Sequence, residues 1–239
     1  MFYLWLCLFT LVILQVSVFC TTIYLHRTLT HRGMEVHNWV AFLMHGWLSV
    51  FTGITPRDWV AVHRKHHQFS DKEGDPHSPY IHGLWKVFFG NVYYYRMTIN
   101  EPGVVKKYTP DYRATLIDKI PWQGYLVLVG LAIFVALFGW AWGIGAFLFQ
   151  AVTYILLNSS INSVCHMIGY RNFENLATNL QWLACLTGGE GLHNNHHEYP
   201  TAARFSVKGR EFDPAWLVIR TLEGLGLAKV KPLPMAKAA

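Results

Sequence analysis

Thirteen histidines stand in this chain of 239 residues, and nine of them fall into four short groups. His26 and His31 bound the run HRTLTH; His63, His66 and His67 belong to HRKHH; His166 closes NSVCH; His193, His196 and His197 belong to HNNHH. Two of the groups share the spacing H-x-x-H-H. On a helix, positions i, i+3 and i+4 lie on one face, so each triplet aims three imidazoles at one region of space. His26 and His31 are five apart, about 140° around an ideal α-helix, and they converge only if the helix ends or unwinds between them. Asn162 and His166 are four apart and share a face.

Neutral imidazole is a borderline ligand suited to iron, zinc, copper and nickel. Nine imidazoles are too many for one tetrahedral zinc and suit two metals with four or five nitrogen ligands each. A nitrogen-rich two-metal site open to a small ligand points to iron and dioxygen, a ligand solution different from that of the carboxylate-bridged soluble di-iron proteins. A generic metal-binding tract would be contiguous, whereas these groups spread over much of the chain. A structural zinc site and a metal transporter are the remaining alternatives, and a transporter needs polar ligands within its spans, where residues 120 to 161 offer none that ionise. Asp71, Asp75 and Glu190 are candidate acceptors for the far nitrogen of a ligand histidine, with Glu190, inside GGEGLHNNHH, the favoured one. His37, His45, His77 and His82 match no group and read as ordinary interfacial or hydrogen-bonded histidines.

The elements that must position these side chains are apolar. Apolar residues make up 52% of the chain and charged residues 14%, which excludes disorder and argues against a soluble globule. The formal charge of +6 accompanies long uncharged runs, so it reads as the signature of a membrane face and not of nucleic-acid binding. Residues 1 to 25 carry no charge and would reach about 37 Å as a helix, enough for a hydrocarbon core of about 30 Å. No Asp, Glu, Lys or Arg occurs between Lys119 and Arg171, where two apolar segments flank GWAWG at 139 to 143. This pattern predicts a helical hairpin whose turn carries Trp140 and Trp142 as interfacial anchors. The predicted architecture is an all-α integral membrane protein, a single domain over 1–239. About three transmembrane helices (1–25, 125–139, 143–160) are joined to interfacial helices and a cytoplasmic helical cap, 26–119 and 171–239, holding the histidine-rich di-iron site.

All 20 Lys and Arg fall in the two cap regions, which places that side, with the active site, in the cytoplasm. Residues 36 to 51 predict a helix lying in the interface or dipping into it, and the aromatic residues from Tyr80 to Tyr95 suit the headgroup level. Asp213-Pro214 predicts a helix start, and the tail KVKPLPMAKAA is expected to fray. The four cysteines form no C-x-x-C pair and no disulfide framework.

The runs HRTLTH, WVAVHRKHHQFSDKEGDPHSP, NSVCHMIGYRNF and GGEGLHNNHHEYP resemble, in order, spacing and flanks, the membrane-bound fatty acyl desaturases. The likeness is to the acyl-CoA Δ9 (stearoyl-CoA) branch and its short bacterial relatives, from Tyr24 to about Leu227. The resemblance implies that His26, His31, His63, His66, His67, His166, His193, His196 and His197 hold two iron ions, with Asn162 reaching one of them through water. It implies that Trp59 lines the acyl channel. It also implies a cis double bond, at Δ9, placed in a saturated long-chain acyl group at the expense of dioxygen. Removing hydrogen from an unactivated methylene needs an activated oxygen species that only a cofactor supplies. The competing reading is a histidine-rich di-iron fatty acyl or alkane hydroxylase, whose middle group in the alkane branch is H-x-x-x-H-H.

Two departures matter. Animal members of that branch have four spans where this chain reads as three, lacking the first. They also carry an Arg-Asp pair near the CoA head group, where Ala61 and Val62 stand here, so both CoA and a phospholipid remain open as the acyl carrier. No dinucleotide fingerprint or cysteine cluster is present, which implies a separate electron donor: a ferredoxin, rubredoxin, cytochrome or flavin reductase. The bilayer is a further partner, and the bacterial inner membrane is the expected location.

Overall fold

The computed structural model describes residues 1–232. Its frame is two long apolar helices. The first, α1 (Phe2–Cys20), continues without a break into a π-helix (Thr21–Thr30). In the widened turn the Thr28 and Thr30 hydroxyls donate to the carbonyls five residues back, Ile23 and Leu25, at 2.8 Å each, and the His31 amide bonds to the His26 carbonyl at 3.1 Å. Of the two alternatives expected between His26 and His31, ending or unwinding, the structure shows unwinding. The helix does not stop; it widens to i→i+5 bonding, which brings residues five apart onto one side.

The second frame helix, α7 (Val127–Asn162), folds back on itself at Gly139, where φ is +78° and ψ is 170°. That conformation suits a residue without Cβ. Facing arms then pack closely: Phe134 lies 5.6 Å from Phe147, ring to ring, and a Cβ on Gly143 would collide with the Phe134 carbonyl. The predicted break over 139–143 is thus a single residue, with helix resuming at Trp140. The first arm, residues 127–138, rises only about 18 Å, less than a hydrocarbon core of about 30 Å. Two helices, Phe2–Thr30 and Gln123–Met167, are long and apolar enough to cross a membrane, which suggests membrane association. The start of α1 meets the hairpin turn, with Tyr3 edge-on to Trp142 at 5.2 Å and Phe2 to Phe138 at 6.0 Å. The histidine-bearing ends, His26 and His166, therefore lie together at the opposite end.

Helix α2 (Asn38–Phe51) runs back alongside α1. Leu48 packs with Cys20 and Tyr24, the Trp47 Nε1 donates to Ser17 Oγ at 3.0 Å, and Phe51 joins Ile13, Phe134 and Phe147 in a buried cluster. It packs between α1 and the α7 hairpin. The chain returns through α3 (Pro56–Phe69), which starts with proline in its first turn and carries the second histidine group. After α4 (Pro79–His82) comes α5 (Leu84–Asn100), whose outward face shows Trp85, Phe89, Val92, Tyr93 and Met97. The short α6 (Val104–Tyr108) packs along α3.

Beyond α7, single turns α8 (Val164–Met167), α9 (Gln181–Leu186) and α10 (His193–Glu198) carry or support the remaining histidines. Helix α11 (Pro214–Gly224) begins as predicted, with the Asp213 carboxylate accepting the Trp216 amide at 3.3 Å. The tail differs from expectation. Ala228–Val230 forms β2, antiparallel to β1 (Met34–Val36), so the all-α reading gains one two-stranded ribbon. Residues 233–239 of the tail lie outside the described residues.

Candidate metal centre

Four elements deliver the nine imidazoles. The π-helix supplies His26 and the residue that follows its end is His31; α3 supplies His63, His66 and His67; α8 supplies His166; α10 supplies His193, His196 and His197. They sort into two groups whose ligand nitrogens all lie within 4.8 Å of one another: His26, His31, His63, His67 and His196 in one, His66, His166, His193 and His197 in the other. Each H-x-x-H-H triplet is split between the groups, because neighbouring imidazoles at i+3 and i+4 diverge slightly. All nine sequence-predicted histidines are brought together.

The geometry within the first group is informative. The Nε2 atoms form a chain: His31 to His63 at 3.2 Å, His63 to His67 at 3.1 Å, His67 to His196 at 3.0 Å and His196 to His26 at 3.0 Å. A neutral Nε2 either carries one hydrogen or offers one lone pair, so at most two of these four contacts are hydrogen bonds. The others set lone pair against lone pair unless a cation lies between them. Two nitrogens each about 2.1 Å from one ion and at right angles to each other stand about 3.0 Å apart, the spacing found here. In the second group His166 and His193 are 3.1 Å apart, His193 and His197 3.1 Å, and His66 and His197 3.4 Å. The donor set thus fits two metal ions.

Carboxylates fix the far nitrogens. The Nδ1 of His26 lies 2.6–2.7 Å from Glu190, that of His66 2.9–3.0 Å from Asp75 and that of His166 2.7 Å from Asp71. A carboxylate only accepts, so each Nδ1 carries the hydrogen and each Nε2 faces inward bare, which is the tautomer a metal needs. Glu190 stands three residues before His193, the spacing used by soluble di-iron proteins, yet it contacts His26 from outside the nitrogen cluster. Asp71 and Asp75, left open on sequence alone, both reach a histidine. Burial, with repulsion from neighbouring imidazoles, lowers the pKa of His31, His63, His67, His193, His196 and His197 well below the ordinary histidine value, so these rings are neutral. Burial pushes the Asp75 carboxyl upward, but the interactions with His66 and His77 outweigh it and hold the group below the usual carboxylate range.

His77 was passed over as ordinary. It is buried, stacks on His66 at 4.6 Å, and its Nε2 has no hydrogen-bond partner. Burial brings its pKa down to about 3. The signal available was its place two residues after Asp75. The other three unmatched histidines sit apart from the metal ligands: His45 is buried between Thr115 and Gln123, His37 caps α2, and His82 stacks on Tyr94.

A cavity of about 520 Å³ runs from the first group between the π-helix, α3, α5 and α7. His26, His63 and Glu190 line one part of it, with Trp59, Tyr95, Ala151, Tyr154 and Ile155 in the walls. Trp59 stacks on His63 at 4.8 Å with the rings 14° apart. A 2.5 Å hydrogen bond joins Thr21 to Tyr154 in its wall. Asn162 also lines the cavity and donates to Asn91 at 3.1 Å.

The sequence profile of the fatty acid desaturase family matches residues 3–207. Among curated proteins, icosanoyl-CoA 5-desaturase of Limnanthes douglasii is 35% identical over an alignment covering 89% of this chain and 61% of that protein. The sn-1 stearoyl-lipid 9-desaturase of Synechocystis is 33% identical, with 89% of this chain and 67% of that protein covered. Delta-9 acyl-lipid desaturase 1 of Arabidopsis thaliana is 34% identical, with 94% and 74% covered. The chain therefore spans between 61% and 74% of the length of these three relatives.

Proposed function

The chain belongs to the fatty acid desaturase family, and on that premise we propose that it is an oxygen-dependent, di-iron enzyme introducing a cis double bond, at Δ9, into a saturated long-chain acyl group of a membrane lipid. One observation carries the reading: nine imidazoles, six of them buried and three partly buried, divide into a five-nitrogen and a four-nitrogen cluster beside a largely apolar cavity with aromatic walls. Its size is that of a small-ligand pocket. Histidines 26, 31, 63, 67 and 196 would hold one iron, and histidines 66, 166, 193 and 197 the other, with Asn162 reaching the second through water.

Iron, when bound, supplies the activation of dioxygen, so that dioxygen, two electrons and two protons leave as two waters while two vicinal hydrogens leave the chain as the alkene forms. The protein's part is placement. Trp59, held flat on His63, is a rigid wall that confines the methylenes beside the cluster, and Tyr95, Ile155 and Ala151 keep the chain away from water. Glu190, Asp71 and Asp75 fix the tautomer and orientation of three rings. Two electrons come from a separate donor protein or reductase.

A lipid ester is favoured as carrier over CoA for two reasons. Ala61 and Val62 are buried and apolar, so these two α3 positions offer no charge to a phosphorylated head group, and Arg96 is the one lysine or arginine among the residues lining the cavity. The adjoining α5 presents exposed aromatics suited to contact with lipid. The test is expression in a host that makes only saturated C16 and C18 chains, with the double bond located by mass spectrometry after derivatisation. A cis-Δ9 alkene on intact lipids is expected, while a new alkene confined to the CoA pool would move the carrier assignment. Dominant hydroxy-acyl products would establish the hydroxylase reading.

A further inference from the structure

Arg27 follows the ligand His26 in the π-helix and is buried, though it carries a full charge. An unpaired buried guanidinium is costly, and every donor of this one is used. Its Nε donates to the Ala203 carbonyl at 2.9 Å, Nη2 to both oxygens of Asp213 at 3.0 and 3.1 Å, and Nη1 to the Thr22 carbonyl at 3.3 Å and to the Thr22 hydroxyl. The Thr22 hydroxyl in turn donates to Glu190, which Arg27 also approaches at 3.5 Å. The guanidinium carbon lies over Phe205, 3.7 Å from the ring centre, and Phe205 packs against His196 at 4.8 Å and His26 at 5.6 Å.

Asp213 is itself held. It caps α11 and accepts the Phe205 amide at 2.8 Å. Gly189, at φ +97°, passes so close that a Cβ there would strike the Asp213 carboxylate. A continuous polar path thus runs from the start of α11 through Asp213, Arg27 and Thr22 to Glu190 and the outer nitrogen of His26. His196 has no hydrogen-bond partner on its own outer nitrogen, so packing on Phe205 is what orients it.

We propose that Arg27, clamped by Asp213, is a positioning residue for the five-histidine site, fixing Glu190 on His26 and the Phe205 ring against His196. The proposal rests on the two-metal reading. It ties the fold of α11, 187 residues away from the first ligand in sequence, to the geometry of only one of the two metal positions. The four-histidine group, oriented by Asp71 and Asp75, is independent of it.

The test uses the full-length protein in detergent, stripped and reloaded with cobalt(II), comparing wild type with Asp213→Asn, Glu190→Gln and the double variant. Asparagine keeps the shape of residue 213 while removing its charge and one accepting oxygen, so it retains either the Trp216 cap bond or the Phe205 amide bond. Asp213→Asn should weaken cobalt binding at one of two sites about tenfold or more and shift that site's visible absorption, leaving the other site unchanged. In the Glu190→Gln background it should add less than in wild type, the remainder being the part carried through Phe205 to His196. If Asp213→Asn lowers the melting temperature but leaves both affinities and the spectrum as in wild type, the ion pair is only structural and the proposal fails. Should that variant not fold, Phe205→Leu keeps both charges and removes the ring against His196; the same one-site weakening is expected, and unaltered cobalt binding overturns the proposal. Wild type binding fewer than two cobalt ions would instead defeat the two-metal reading.

Discussion

Replacing Asp75 by asparagine should weaken metal binding at one position and leave the other unchanged. The Asp75 carboxylate accepts three donors: the Nδ1 of His66 at 2.9–3.0 Å, the Asp71 amide at 2.8 Å and the His77 amide at 3.0 Å. Asparagine has the same shape but one accepting oxygen, so its NH2 must face either a backbone amide or the imidazole N–H. One buried donor then goes unmatched, at a cost of about 1–3 kcal/mol. If His66 answers by turning or changing tautomer, its Nε2 no longer meets the four-histidine group correctly. Loss of such an outer partner weakens metal binding by about 10–100-fold. Titration of the metal-free protein against a competing chelator should show one site weakened by that factor. The five-histidine site, whose only carboxylate contact is Glu190, should keep wild-type affinity. Equal weakening of both sites, or of neither, would refute the assignment of Asp75 to one metal.

Three further outcomes follow from the geometry. His63→Ala or His193→Ala should abolish turnover with the protein still membrane-inserted, whereas His45→Ala, remote from the ligands, should lower the melting temperature without changing metal content. The metal-free protein should lose stability as pH falls below about 6.5: burial lowers the folded pKa of His31, His63, His67, His193, His196 and His197, the unfolded chain takes up those protons first, and a melting temperature flat between about pH 5.5 and 7.5 would contradict it. Ala151→Trp, which intrudes on the cavity wall, should bias the products toward shorter acyl chains, seen as a changed C16 to C18 ratio among the unsaturated lipids.

The triplets at 63, 66, 67 and 193, 196, 197 were legible because helical periodicity alone puts three rings on one face. At His26 and His31 the same periodicity required the helix to end or unwind but could not say which. Their convergence depends on π-helical bonding supported by Thr28 and Thr30, and a threonine bonded five residues back leaves no pattern distinct from ordinary threonine. The hairpin was visible in the uncharged run, but the sharpness of its turn rests on one positive-φ glycine among several. Partners across long separations carry no local signal. Asp71 and Asp75 could be named as acceptors only because they lie just beyond a histidine group, and Arg27 with Asp213 could not be paired at all. The β1–β2 ribbon escaped because three-residue strands fall below any periodicity that a sequence displays.

The central claim is that nine imidazoles hold two irons. Iron and zinc analysis of anaerobically purified wild-type protein, with Mössbauer spectra on iron-57, tests it most directly. The account predicts about two irons per chain in two nitrogen-rich environments, one of them lost in His193→Ala. A single tightly held zinc, with no desaturation after iron loading, would contradict it.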